Sequence, residues 1–194
     1  MDWHTVVCVA SGPSLTAADC ALVEASGLPV IAVNNSWRLI PACAVIYAAD
    51  CCWWELYHAE ITSGAERWCG DYFTAERFNL LQMESQLPGS FNSGQRAIEL
   101  AIYRGARRVL LVGYDCSIRD GAHWHGAHAG LANPDAMSVA RWHDEFRQLR
   151  DWAAGVEIVN CSRRTRLRCF QRQPLEAAIE VFSHERGLGM DSRL

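Results

Sequence analysis

Three histidines stand close together in the stretch GAHWHGAH, residues 121–128. His123, His125 and His128 are spaced so that their imidazoles suit three roles, namely metal ligands, proton acceptors or polar residues that shape a loop. The choice among these roles depends on the fold that positions the loop. The segments on either side of the loop therefore decide what the histidines face.

Strand-like apolar runs alternate with helix-like segments along most of the chain. The runs end at SGPS (11–14), NNS (34–36), Asp50, Asp115 and Asn160. This alternation is typical of a parallel sheet with helices on both faces and right-handed crossovers. We therefore predict an α/β fold with a single Rossmann-like domain over residues 1–184, and a flexible tail over 185–194.

Three helices in the second half have clear signals. Ser93 stands where the N-cap of a helix that runs to Arg104 is expected, and Pro134 with Asp135 begins a second helix that ends before Gly155. A last helix begins at Pro174. The part between residues 55 and 88 is less regular: RWCGDYF predicts a short strand, and TAERFNLLQMES fits either a helix or a loop.

The residues that follow the strands suit a nucleotide. In an open parallel sheet the ligand crevice lies beyond the carboxyl ends of the strands. Glycine lets the backbone approach a phosphate there, while hydroxyls and free amides at a helix start can bind it. Asparagines after the second strand can hydrogen-bond a base or a ribose. The predicted nucleotide-binding residues are Gly12, Pro13, Ser14, Asn34, Asn35, Asn92, Ser93 and Gly94.

Composition excludes several kinds of chemistry. All 18 basic residues are arginine, so a lysine Schiff base, a pyridoxal phosphate lysine and a Walker A lysine are ruled out. The net charge of −4 gives no global reason to expect nucleic acid, although SRRTRLRCFQR (162–172) carries five arginines that suit phosphates. The nine cysteines contain no C-x-x-C pair, which favours reduced thiols in a cytoplasmic protein. No apolar run is long enough to span a membrane.

Several of these motifs together resemble a known superfamily. ASGPSL, VNN, NSGQRAIELAIYRGARRVLLVGYD and the later HWHG resemble the core of family 42 bacterial sialyltransferases, MptE-like diphosphokinases and flagellar motility-associated-factor glycosyltransferases. A compact phage-encoded branch, labelled phage norphogenetic protein, is the most similar, including its HWHG-x-H and NP residues. The resemblance covers most of residues 4–180 and is weak between about 55 and 88.

The resemblance implies roles for individual residues. It implies that the GPS turn, the asparagine after the second strand and the Ser-Gly before the central helix hold a nucleotide, and that His123 is the general base. The tyrosines that assist the leaving phosphate in the sialyltransferases have no match here, and their acceptor lid has no counterpart in so short a chain. Arg119 is our candidate to offset charge on the leaving phosphate, and Asp115 to orient a histidine or a ribose hydroxyl.

These observations favour a nucleotide-dependent transferase, with a glycosyltransferase that uses a nucleotide-activated sugar as the first choice. Trp124, His125 and His128 would bind the acceptor or shape the loop. One alternative is an MptE-like diphosphokinase in which Asp50 and Asp115 hold Mg²⁺. Others are a non-catalytic phage accessory or morphogenesis protein, and a metal hydrolase that uses the three histidines. The first choice requires no resident metal or cofactor, and a homo-oligomer is compatible with the resemblance.

Overall fold

A computed structural model describes residues 3–89 and 92–181, and one eight-stranded sheet runs through them. The strands are β1 (Thr5–Val9), β2 (Val30–Val33), β3 (Val45–Tyr47), β4 (Glu66–Cys69), β5 (Leu81–Gln82), β6 (Arg108–Val112), β7 (Glu157–Asn160) and β8 (Gln171–Arg172). Every strand pairing is parallel, and the spatial order of the strands is β5-β4-β3-β2-β1-β6-β7-β8.

The strand order reverses direction at the centre of the sheet. Strands β1 to β5 follow one another from the centre of the sheet to one edge. The next strand, β6, pairs with the other side of β1, with Val9 opposite Val112. Both strands therefore end at the same edge of the sheet. Such a reversal point is where open α/β sheets form a ligand crevice.

Helices cover both faces of the sheet. They are α1 (Ala17–Ala25), α2 (Cys51–Tyr57), α3 (Tyr72–Phe78), α4 (Ser93–Tyr103), α5 (Ala136–Trp152) and α6, whose helical residues run from 175 to 181, where the described part ends. Short 3-10 turns at Asn34–Arg38 and His58–Glu60 follow β2 and α2. The segment from 116 to 135, which contains the three histidines, is irregular.

The buried apolar residues form two layers, one on each face. On one face Val23 of α1, Trp54 of α2 and Ala178 of α6 pack on side chains of the sheet such as Val7. On the other face α4 and α5 pack on the alternate side chains, and the fully buried residues there include Ile98 and Leu149. This arrangement confirms the predicted α/β class, the parallel sheet and the helices on both faces.

The structure corrects several details of the predicted elements. Asn92, not Ser93, is the N-cap of α4, because its side-chain oxygen accepts a hydrogen bond from the Gln95 amide at 3.2 Å. The irregular region 55–88 contains β4, α3 and the two-residue strand β5. The equally short β8 was not predicted, since two exposed polar residues carry no strand pattern. The predicted tail, 185–194, lies outside the described residues.

Two general features bear on the chemistry. Within the described part of the chain, no helix combines the length and the apolar character that crossing a membrane requires. All nine cysteines lie in this part and none forms a disulfide. Burial raises the pKa of the Cys43 and Cys161 thiols to about 12, so both are unreactive apolar packing residues.

Candidate functional site

The turn after β1 is locked to the turn after β6. The Gly12 amide donates to the Gly113 carbonyl at 2.8 Å. One carboxylate oxygen of Asp115 accepts from the Ser14 amide at 2.9 Å, and the other accepts from the Ser14 hydroxyl at 2.7 Å. A Cβ on Gly12 would lie 2.3 Å from Asp115 Oδ1 and 2.4 Å from the Gly113 oxygen. Only glycine therefore fits between the two turns.

This contact changes the part that Ser14 can play. Its amide and hydroxyl, which we expected to meet a phosphate, are already bonded to Asp115, and its side chain is buried. The amino end of α1 is also capped by the protein itself. The Thr16 side chain accepts a hydrogen bond from the Asp19 amide, and the Asp19 side chain accepts one from the Thr16 amide, which together form a capping box. Asp115 therefore holds the GPS turn in place through its two hydrogen bonds with Ser14. Burial raises the pKa of Asp115, and the two hydrogen bonds from Ser14 oppose that rise.

A cavity of about 570 Å³ lies at the carboxyl edge of β1, β2, β3 and β6. Its volume suits a nucleotide-sized ligand. Several residues predicted from the sequence reach it together, whereas Pro13, Ser14 and Asn35 are not part of its wall. The predicted residues that line it are Gly12, Asn34, Asp50, Asn92, Ser93, Gly94, Asp115, His123 and His128.

The two asparagines after β2 have different surroundings. Asn35 is buried, and its side-chain oxygen accepts from the indole N–H of Trp53 at 2.6 Å, so it holds α2 against the sheet. Asn34 lines the cavity in a left-handed conformation with φ 49°. Its side-chain oxygen is buried and has no hydrogen-bond partner among the described residues. Asn34 is therefore the asparagine that is free to accept a hydrogen bond from a ligand.

The start of α4 forms another part of the cavity wall. The Ser93 hydroxyl accepts from the Ala49 amide at 3.0 Å, which ties α4 to the end of β3. A Cβ on Gly94 would lie 3.1 Å from the ring of Tyr114, so this glycine lets the ring pack against the helix. The Tyr114 hydroxyl donates to the Gly94 carbonyl at 3.0 Å. These contacts fix the amino end of an 11-residue helix at the cavity.

The three histidines come together in the loop after β6. The His123 and His128 ring centroids are 4.6 Å apart, and His125 lies 5.1 Å from His123 and 4.7 Å from His128. The Trp124 amide donates to the Ser11 carbonyl at 2.9 Å, which holds the loop over β1. Burial, together with the neighbouring imidazoles, lowers the pKa of His123 and of His125 to about 4. All three rings are thus neutral near pH 7, because burial also lowers the pKa of His128.

The other predicted loop residues lie farther from the cavity. Trp124 packs partly buried against the core layer of α1 and α2, and it does not line the cavity. Arg119 is exposed and is also not part of the wall. A cation that the sequence interpretation missed, Arg141 of α5, does line the cavity, and its side chain is 62% exposed despite a 3.5 Å ion pair with Glu145. No sequence pattern marks Arg141 as a cavity residue, because its place at the cavity depends on how α5 packs.

The C-terminal arginine stretch is partly neutralised. Arg163 pairs with Asp19 at 2.9 Å, and Arg164 pairs with Asp120 at 3.4 Å. The Arg172 guanidinium donates to the Ser162 carbonyl at 3.0 Å. Three of the five arginines are therefore engaged within the protein, and a nucleic-acid acceptor stays a prediction.

No protein-family model matches the sequence, and no curated protein matches it. Among solved structures, the chain is similar to a MAf glycosyltransferase from Magnetospirillum magneticum AMB-1, with a TM-score of 0.62 and 17% identity. The match covers 90% of this chain and 34% of that chain, so the chain spans about a third of its neighbour's length. A thiamin pyrophosphokinase from Geobacillus thermodenitrificans matches with a TM-score of 0.35 and 14% identity, over 79% of this chain and 58% of that chain. The first likeness shows a shared α/β fold.

Proposed function

We propose that this protein is a nucleotide-dependent transferase and that it transfers a glycosyl unit from a nucleotide-activated sugar. The observation that carries the proposal is the cavity at the reversal point of the sheet, where Gly12, Asn34 and the start of α4 meet the histidine loop. The free acceptor of Asn34 suits a base or a ribose, and the amino end of α4 suits a phosphate. The shared fold with a glycosyltransferase supports the choice of transferred group.

Each wall of the cavity has a proposed part. The Asn34 side-chain oxygen accepts from a donor on the base or the ribose, because it has no other partner among the described residues. The amino end of α4 and the guanidinium of Arg141 face the phosphates, where their positive charge stabilises the leaving group. We assign this last part to Arg141 in place of Arg119, since Arg141 lines the cavity and Arg119 does not.

The acceptor hydroxyl enters from the side of the histidine loop. His123 is the proposed proton acceptor because it lines the cavity, and its Nδ1 is 2.9 Å from the Ser11 hydroxyl, which leaves Nε2 available. The acceptor oxygen bonds to the anomeric carbon as the bond from that carbon to the nucleotide phosphate breaks. The proton of the acceptor hydroxyl moves to Nε2 of His123, and the nucleotide leaves with the negative charge.

Ligand-induced thermal stabilisation tests the proposal. Nucleoside mono- and diphosphates and their sugar conjugates would be screened with and without Mg²⁺. A ligand at about 100 times its Kd stabilises the fold by about 2.7 kcal/mol, which is a rise of about 5–10 °C in Tm for a domain of this size. Asn34→Gly should reduce that rise with little change in the Tm of the free protein, because glycine tolerates the positive φ at this position. If no nucleotide or nucleotide sugar raises the Tm, the proposal fails.

The same screen separates the alternatives. Stabilisation that appears only with Mg²⁺ would favour the diphosphokinase, in which Asp50 and Asp115 hold the ion. The geometry gives this alternative less support, because both oxygens of Asp115 already accept hydrogen bonds from Ser14. Nucleotide binding without any sugar transfer to a panel of hydroxyl acceptors would favour a non-catalytic accessory protein.

A further inference from the structure

The histidine loop brings three imidazole rings close together. One ring nitrogen from each of His123, His125 and His128 can be chosen so that all three lie within 4.8 Å of one another. Ions of the zinc type bind imidazole nitrogen at about 2.0–2.1 Å, so tetrahedral ligands sit about 3.3 Å apart. A small closing movement of the rings reaches that spacing. The loop contains Gly126 and Gly130 with positive φ, and no helix or strand fixes it.

Two of these imidazoles have a hydroxyl partner at one ring nitrogen. A metal-bound histidine usually holds its second ring nitrogen in a hydrogen bond, which fixes the ring orientation and the tautomer. His123 Nδ1 lies 2.9 Å from the Ser11 hydroxyl, and His128 Nδ1 lies 3.3 Å from the Tyr57 hydroxyl. In both rings Nε2 is the nitrogen left over for an ion.

The third ring carries an unsatisfied polar atom. His125 Nε2 is buried and has no hydrogen-bond partner among the described residues. A buried polar atom without a partner is unfavourable, and a bound ion would remove that cost. The carboxylates near the loop are engaged elsewhere, since Asp115 holds Ser14 and Asp120 pairs with Arg164.

We propose that His123, His125 and His128 form a site for a divalent transition metal of the zinc type, with its fourth coordination position open toward the cavity. Three imidazoles without a carboxylate suit zinc rather than Mg²⁺, which prefers oxygen ligands. Three protein ligands leave one tetrahedral position for water or substrate, as in catalytic zinc sites. Because His123 and His128 both line the cavity, the ion would lie in its wall.

The inference deepens the proposed function and rests on it for the chemistry only. With the ion in place, His123 Nε2 is occupied, and a hydroxide on the ion would accept the proton of the acceptor hydroxyl and become water. Such a hydroxide forms near neutral pH because the ion lowers the pKa of its bound water. Binding of the ion itself does not depend on whether the protein transfers a sugar.

The test measures Zn²⁺ binding to the full chain without a histidine tag. Metal analysis after equilibration with Zn²⁺ and removal of the excess should give one ion per chain. Titration against a chromophoric chelator gives the Kd, and Co²⁺ in place of Zn²⁺ should show the intense visible absorption of a four-coordinate site. His125→Ala and His128→Ala should each weaken Zn²⁺ binding by about 100-fold or more, because each removes a direct ligand. Tyr57→Phe should weaken it by about 10-fold through the outer contact to His128.

His4→Ala is the matched control, since His4 is an exposed histidine ahead of β1 and should leave Zn²⁺ binding unchanged. His128→Gln, which is closer in size to histidine than alanine is, serves as a second variant if the alanine variants do not fold. The inference is overturned if the wild-type chain binds no stoichiometric Zn²⁺, or if the His125 and His128 variants bind it as tightly as the wild type.

His125 also separates the two parts of the proposal. Its side chain does not line the cavity, so His125→Ala leaves His123 free to act as a base. If transfer survives in His125→Ala while Zn²⁺ is lost, the ion is not the source of the base. Nucleotide stabilisation of metal-stripped protein is measured separately, so a failed metal site leaves the nucleotide proposal standing.

Discussion

Replacing Gly12 with alanine tests whether the two central turns are as closely packed as described. The new Cβ would lie 2.3 Å from Asp115 Oδ1 and 2.4 Å from the Gly113 carbonyl oxygen, about 1 Å inside ordinary contact distance. The Gly113 oxygen belongs to the backbone and accepts a hydrogen bond from the Gly12 amide, so it cannot rotate out of the contact. Relief therefore requires that the turns separate or that Asp115 moves.

The expected cost follows from the bonds that such a movement breaks. Asp115 accepts two hydrogen bonds from Ser14, and a hydrogen bond to a charged group contributes about 1.5–3 kcal/mol. Loss of both gives about 3–6 kcal/mol, and overpacking alone costs about 1–3 kcal/mol. We expect Gly12→Ala to lower the free energy of unfolding by at least about 3 kcal/mol, a large part of what a domain of this kind possesses.

Urea unfolding followed by circular dichroism measures this loss. Gly64→Ala is the matched control, because a Cβ at Gly64 would meet nothing within 4 Å and its φ is not in the left-handed region. That variant should change the free energy of unfolding by less than about 1 kcal/mol, with a small gain expected from the stiffer unfolded chain. If Gly12→Ala and Gly64→Ala agree within about 0.5 kcal/mol, the described packing of the two turns is wrong.

Three further predictions follow from the same edge of the sheet. Asp115→Ala should lower the free energy of unfolding by about 3–6 kcal/mol because it removes both hydrogen bonds with Ser14, whereas Asp120→Ala, in an exposed ion pair, should cost less than about 1 kcal/mol in the same urea assay. Arg141→Ala should weaken nucleotide binding about 10-fold in calorimetric titration and Arg119→Ala should leave it unchanged; equal effects would contradict the placement of the two guanidiniums. Asn35→Ala should destabilise the fold by about 1–3 kcal/mol without changing the Kd for a nucleotide, because Asn35 bonds Trp53 and does not line the cavity.

The general architecture could be predicted from the sequence because its signals are local. Apolar β-branched runs such as that of β1, followed by amphipathic segments, predict a parallel sheet regardless of partners. The position of the cavity followed from the same pattern, since residues after successive parallel strands share one edge. That pattern placed Gly12 and Asn34 at this edge, and the family resemblance pointed to His123; all three line the cavity.

The roles of individual side chains could not be predicted as well because they depend on partners far away in the sequence. Ser14 looks like a free phosphate ligand in the GPS turn, and only the approach of Asp115, 101 residues later, shows that its donors are used. Asn34 and Asn35 are equivalent as a pair in the sequence, yet Trp53 engages one and not the other. The sequence also favoured a histidine loop without metal, because it carries no information on how closely three rings approach in an irregular segment.

The lock between the turns of β1 and β6 also bears on how the chain folds. Ser14 and Asp115 are 101 residues apart, so the pair forms only when two distant parts of the chain meet. Closing so long a segment is entropically costly, and contacts of this kind tend to form late in folding. A partly folded chain that holds β1 to β5 but not β6 has no cavity wall on the histidine side. Nucleotide binding should therefore appear only with the last cooperative step of refolding, which makes a cavity ligand a reporter of completed folding.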